Sequence, residues 1–167
     1  MNLTLMMMRI ILSLGRRKAR KKAPWIGKQY FVKRECLPKV ETFLYEPEGK
    51  PRGAMPVLFN IHGGAWVGGD ATALDTQSQQ LADTFSCFVV NINYKKVDVK
   101  AFPYPQEEVR DVVLYFAAHA DEFGLDKTRF AIIGYSAGGH LAASAAYLLK
   151  GYTGICTDSF TVESFSK

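Results

Sequence analysis

The chain has 167 residues, about one domain in length, and its 48% hydrophobic and 13% aromatic content can fill a core, which excludes a disordered chain. Its formal charge of +5 is unevenly spread: residues 1–34 hold ten of the 21 Lys and Arg and no acid, so the remainder is mildly acidic at −5. A basic folded surface for nucleic acid is therefore not expected, and neither is a nucleic-acid partner.

The leader runs Met1-Asn2-Leu3-Thr4-Leu5-Met6-Met7-Met8-Arg9-Ile10-Ile11-Leu12-Ser13-Leu14 and then turns basic at Arg16-Arg17-Lys18-Ala19-Arg20-Lys21-Lys22. A signal peptide carries its charge ahead of the apolar stretch, and a spanning helix needs about 20 apolar residues; the pattern fits neither. Residues 1–27 are expected to form a frayed, solvated basic extension. The alternative is contact with a membrane surface by residues 1–22, because apolar side chains beside a Lys/Arg cluster suit anionic headgroups. Three cysteines, Cys36, Cys87 and Cys156, are odd in number and lack C-x-x-C spacing. They read as reduced thiols of a cytoplasmic protein.

After the leader, no repeat or low-complexity tract interrupts the sequence. Residues 28–33 form a weak strand candidate, and Val40-Glu41-Thr42-Phe43-Leu44-Tyr45 alternates as a strand exposed on one side until Glu46-Pro47-Glu48-Gly49 breaks it. Two continuous apolar runs, Val57-Leu58-Phe59-Asn60-Ile61 and Cys87-Phe88-Val89-Val90-Asn91-Ile92-Asn93, suit strands covered on both faces, as in a parallel sheet. Between them residues 74–85 read as a helix. A second helix is expected over 107–123, with Val109, Val112, Val113, Phe116 and Ala120 at helical spacing, Pro105 ahead of it and Gly124 closing it. A third buried strand over 129–133 leads into an Ala-rich helix over 137–149. Strands alternating with helices imply an α/β protein with a mostly parallel sheet and helices on both faces. In such folds ligands bind beyond the carboxyl ends of the strands.

Two motifs lie at those ends. Gly134-Tyr135-Ser136-Ala137-Gly138-Gly139 follows the third buried strand and opens a helix. This G-x-S-x-G spacing builds a tight strand-to-helix turn that lifts the serine hydroxyl out of the sheet. It also leaves the Ala137 amide at a helix N-terminus, where backbone donors and the helix dipole favour a developing oxyanion. His62-Gly63-Gly64-Ala65-Trp66 follows the strand ending at Ile61, and its two glycines let backbone amides turn toward a substrate oxygen.

Together these motifs resemble the α/β-hydrolase fold, in its hormone-sensitive-lipase-like branch of carboxylesterases, acetyl esterases and kynurenine-formamidase-like enzymes. The resemblance covers about residues 35–150 and includes Asn93-Tyr94-Lys95 and Phe102-Pro103-Tyr104-Pro105. It implies that residues 28–167 are the N-terminal part of an α/β-hydrolase domain. It further implies Ser136 as nucleophile, the amides of Gly63, Gly64 and Ala137 as oxyanion-hole donors, and His62 as support for the oxyanion loop. The implied substrate is a small carboxylic ester, with no cofactor; no metal is expected either, since the His and Cys residues show no ligand spacing. Many members have a third glycine where Ala65 stands, and an aspartate and an arginine where Asn93 and Lys95 stand. Trp66 has two readings, lining an acyl pocket or covering the sheet edge, and His119 reads as a solvated histidine on a helix.

A Ser-His-Asp triad in this fold runs in the chain order Ser, Asp or Glu, His. The one histidine after Ser136 is His140, one turn into the same helix, with its ring expected in the helix packing. Asp158 and Glu163 come too early for the family's acid. The expectation is a partial hydrolase fold, truncated after the nucleophile helix, with the acid and histidine missing. The strand at 129–133 is then expected to present an open edge, a route to self-association. Two functions follow: a serine hydrolase acting on carboxylic esters through an acyl-enzyme at Ser136, given incomplete, or a non-catalytic relative that binds a small acyl ligand or a partner protein.

Overall fold

In the computed structural model, which describes residues 3–49, 53–150 and 162–164, chain order runs α1 (Leu3–Ala19), β1 (Lys28–Arg34), β2 (Leu37–Tyr45), β3 (Met55–Ile61), a 3-10 turn (Ala71–Leu74), α2 (Asp75–Phe85), β4 (Phe88–Asn93), α3 (Tyr104–Ala118), α4 (Ala120–Phe123), β5 (Leu125–Gly134), α5 (Ala137–Leu149) and β6 (Val162–Ser164). Among these residues the strands form one sheet ordered β1-β2-β4-β3-β5-β6. β1 and β2 pair antiparallel, β2 joins β4 antiparallel, and β4, β3, β5 and β6 run parallel.

Burial on both faces explains the continuous apolar runs of β3 and β4. Val57, Phe59 and Ile61 of β3 and Phe88, Val90 and Ile92 of β4 pack with Val109, Val112 and Phe116 of α3 and Leu141, Ala142 and Ala145 of α5. The alternate residues Leu58 and Val89 face the other way, toward Phe43, Tyr45 and Ala82 of α2. Two asparagines interrupt these runs, and each is paired on the α2 side. Asn60 Nδ2 donates to Ser78 Oγ at 3.1 Å, and Asn91 Nδ2 donates to the Ala71 carbonyl at 2.8 Å.

The structure corrects four expectations about the fold. First, the basic leader is helical, not frayed. Arg16 on α1 bonds Asp98 at 2.9 Å and the Val67 carbonyl at 2.8 Å, while Arg20 just beyond it reaches Glu41 at 2.7 Å and Asp70 at 3.3 Å. The acids that hold the leader belong to the acidic body. Leu3, Met7, Ile10, Ile11 and Leu14 on the same helix are exposed. Second, the helix expected over 107–123 begins earlier and breaks at His119, giving α3 and the short α4, which Gly124 ends in a left-handed conformation (φ 65°). Third, His119 is half-buried, its ring 4.1 Å from that of Tyr115 and its Nδ1 2.7 Å from the Tyr115 carbonyl.

The fourth correction concerns the open edge. β6 pairs with Ile132, Ile133 and Gly134 of β5, so the end of that strand nearest Ser136 is covered. Toward its start, an apolar groove of about 620 Å³ lies between α2 and β5, lined by Leu58, Leu81, Phe85, Ala131 and Ile133. Cys36 is exposed and Cys87 buried, both as free thiols, while Cys156 and Asp158 lie outside the described residues. Among the described residues no helix is long and apolar enough to cross a membrane.

Candidate active site

β3 and β5 are adjacent parallel strands, in a register that pairs Ile61 with Gly134. The two sequence motifs therefore leave the sheet side by side. Tyr135 N bonds the Ile61 carbonyl at 3.1 Å, tying the elbow to the end of β3. A β-carbon on Gly63 would fall 2.7 Å from the Tyr135 carbonyl and 3.4 Å from Ser136 Cβ, which measures how closely the loop lies against the serine.

Ser136 itself is exposed and strained, with φ 52° and ψ −117°, a conformation that a non-glycine residue holds only when its surroundings impose it. It opens α5, and the buried Ala137 is the first helical residue. Gly64 has φ 124°, with Ala65 and Trp66 also at positive φ (50° and 61°), and the Gly64 carbonyl accepts from Val67 N at 3.1 Å and Gly68 N at 2.7 Å. A left-handed turn at residue 65 explains why many family members place glycine there. The amides of Gly63, Gly64 and Ala137 donate to no acceptor among the described residues. Gly63 and Ala137 thus carry uncommitted amides close to one exposed hydroxyl, and Gly64 carries a third beside Gly63.

His62 lies beneath this loop, 2% exposed, its ring stacked on Tyr94 at 4.5 Å. Its Nδ1 is 2.6 Å from the Gly63 carbonyl and its Nε2 is 2.9 Å from Lys96 Nζ. Burial, then the charge on Lys96, hold its pKa down at about 4, so the ring is neutral near pH 7. Lys96 is itself buried, and burial lowers its pKa to about 7 against the raising influence of Asp70 and Glu108.

His140 is exposed, not turned into the helix packing; its ring meets Trp66 edge-on at 5.4 Å. Trp66 stands against α5, 37% exposed. Among the described residues no imidazole is hydrogen-bonded to Ser136. Sequence reasoning missed Lys96, Asp70 and Glu41, a polar network behind the His62–Trp66 loop. The one signal for it was the Lys95-Lys96 pair directly after a buried strand.

A family model for BD-FAE matches residues 43–164. The chain belongs to this family. Its relatives place it among the α/β-hydrolase esterases. It is 37% identical over 107 residues to a versiconal hemiacetal acetate esterase of Dothistroma septosporum, covering 64% of this chain and 32% of the relative. It is 36% identical over 114 residues to an arylacetamide deacetylase of Oryctolagus cuniculus, covering 66% of this chain and 29% of the relative. Among solved structures, a bacterial heroin esterase superposes with a TM-score of 0.73 at 27% identity, covering 90% of this chain and 49% of the other. The chain thus spans about a third of the length of these curated relatives and about half of that solved hydrolase.

The buried, neutral His62 gives a pH prediction. When unfolded it ionises near 6.5, when folded near 4, so its contribution to stability is full above about pH 6.5 and is lost as pH falls toward 4. At about 1.4 kcal/mol per pH unit the loss is about 2 kcal/mol at pH 5. Lys96 is protonated in both states below about pH 6, and its partial deprotonation in the fold at pH 7 adds only about 0.4 kcal/mol to the difference, while ordinary carboxylates have barely begun to titrate. Urea unfolding at pH 7 and pH 5 should show this loss, and His62→Asn should flatten it; equal slopes in the two proteins would remove the histidine from the account.

Proposed function

We propose that the chain carries the nucleophile and oxyanion half of a serine hydrolase acting on small carboxylic esters. Ser136 Oγ attacks the ester carbonyl carbon, and the amides of Gly63, Gly64 and Ala137 hold the resulting oxyanion. Collapse of the tetrahedral intermediate expels the alcohol, which takes up the serine proton relayed by a base, and leaves an acyl-Ser136 ester that water hydrolyses. His62 supports the oxyanion loop and is not that base, because both of its ring nitrogens already have partners.

The observation that carries this reading is the strained, exposed Ser136 beside three amides without acceptors. The names of the relatives agree with it. Their esters and amides are their own; a small uncharged ester is the class proposed here. With no imidazole bonded to Ser136 among the described residues, turnover of a short-chain p-nitrophenyl ester by this chain should stay near the roughly 10³–10⁴-fold over water that oxyanion binding alone sustains. A fluorophosphonate probe tests the nucleophile directly. Without a base to take the serine proton the label should form slowly, but it should map to Ser136 and disappear in Ser136→Ala; label retained in that variant, or a wild type still unlabelled after prolonged exposure, would overturn the proposal.

A further inference from the structure

Lys96 occupies a position that the ester chemistry does not require and the family motif does not explain. It is 5% exposed, and its ammonium lies 4.1 Å above the Tyr94 ring. Three acceptors surround Nζ: the Tyr94 carbonyl at 2.7 Å, His62 Nε2 at 2.9 Å and Asn93 Oδ1 at 3.3 Å. A lysine ammonium has three donors and no acceptor, so all three are used and His62 Nε2 must be the unprotonated nitrogen. The ring proton is then on Nδ1, which donates to the Gly63 carbonyl at 2.6 Å.

That carbonyl shares a planar trans peptide with the Gly64 amide, and in a trans peptide C=O and N–H point in opposite directions. Holding the Gly63 oxygen beneath the loop therefore aims the Gly64 N–H away from His62, on the side where the amide has no acceptor among the described residues. With the other tautomer, the Nδ1 lone pair would face the carbonyl oxygen at 2.6 Å and repel it. The loop would lose the bond that fixes this peptide plane. The network also extends backwards: Asn93 Nδ2 donates to Glu41 at 2.7 Å and to Asp70 at 3.2 Å, which turns Asn93 Oδ1 toward Lys96. Glu41 and Asp70 are the same acids that bind Arg20.

We propose that Lys96 is a positioning residue of the oxyanion hole, whose ammonium selects the Nδ1–H tautomer of His62 and thereby fixes the Gly63–Gly64 peptide plane beside Ser136. This rests on the ester-hydrolase reading for its consequence, but the tautomer itself can be observed without any substrate. The charged groups around Lys96 are Asp70 and Glu108, which favour its ammonium, and Arg16 and Lys95, which oppose it.

The test is imidazole nitrogen NMR on chain labelled with ¹⁵N-histidine at pH 6, together with the rate of fluorophosphonate labelling at Ser136. Wild type should show His62 protonated on Nδ1 alone. Lys96→Met, which keeps the apolar stem and loses the donor, should shift His62 toward Nε2–H and slow labelling by about 10²-fold, the cost of one misplaced oxyanion donor. Lys96→Arg, which keeps a cationic donor, should hold the wild-type tautomer and recover much of the rate. A wild-type His62 carrying its proton on Nε2 overturns the proposal before any variant is made, so misfolding of Lys96→Met would not shield it. An unchanged tautomer in a folded Lys96→Met, or a changed tautomer with an unchanged rate, also overturns it. If wild type is not labelled at Ser136 at all, the hydrolase reading fails, while the tautomer result stands or falls separately.

Discussion

Gly138→Ala is expected to destabilise the fold by about 3 kcal/mol or more and to slow labelling of Ser136 in whatever protein still folds. A β-carbon there would fall 2.2 Å from the Ile61 carbonyl oxygen and 2.6 Å from that of His62, both backbone atoms at the end of β3. Neither can swing aside, because the Ile61 carbonyl accepts from Tyr135 N and His62 leads directly into the tight Gly63–Trp66 turn. Overpacking a core against flexible side chains typically costs about 1–3 kcal/mol; against fixed backbone the cost belongs at or above the top of that range. Relief requires α5 to move away from β3, which separates Ser136 from Gly63. Gly15→Ala is the control: its β-carbon meets nothing within 4 Å, and alanine in a helix interior is favoured over glycine by about 1 kcal/mol. Urea unfolding of both variants decides the matter, and a Gly138→Ala protein within 1 kcal/mol of wild type would mean that the helix is not wedged under β3 as described.

The contrast between Gly138 and Lys96 marks what the sequence discloses and what it hides. α5 matches its expected limits, Ala137 to Leu149, because glycines, a serine and an alanine run at a strand end leave few other conformations. β3 and β4 were legible because burial on both faces writes a continuous apolar run. The side-by-side placement of loop and elbow follows from the pairing of β3 with β5, which no local pattern contains. The Lys96–His62–Asn93–Glu41 network was not legible, since hydrophobic periodicity assigns every charged residue to solvent and is wrong wherever charges are buried together. The leader was misread for the same reason. Its charges look solvated when only neighbours in sequence are considered, and their partners Glu41, Asp70 and Asp98 come from elsewhere in the chain. β6 is three residues long, too short for any period to show.

Glu108 extends that lesson into a measurable cost. It sits on the inward face of α3 at 1% exposure, among positions that periodicity gives to valine, and Val109 and Val112 beside it are fully buried. Its Oε2 accepts the Lys95 amide at 2.5 Å, and its Oε1 lies 3.8 Å from Arg34 Nη1. Arg34, also buried, donates through Nε to Asp111 at 2.7 Å and lies 5.0 Å from the Tyr104 ring. Burial raises the Glu108 carboxyl above the usual range, while the Lys95 amide and Arg34 draw it back. Glu108→Ala removes one partner from a buried guanidinium and strands the Lys95 amide, and breaking a buried pair from one side typically costs about 3–5 kcal/mol. The double variant Arg34→Met, Glu108→Leu should lose clearly less than the sum of Arg34→Met and Glu108→Leu, because no buried charge is then left alone. Additive losses would show that the two residues act independently. Since Lys95 directly precedes Lys96, Glu108→Ala should also weaken the hold on His62, so its damage should appear in the His62 tautomer as well as in the unfolding midpoint. A stability loss that leaves the tautomer unchanged would confine Glu108 to the core and separate it from the site.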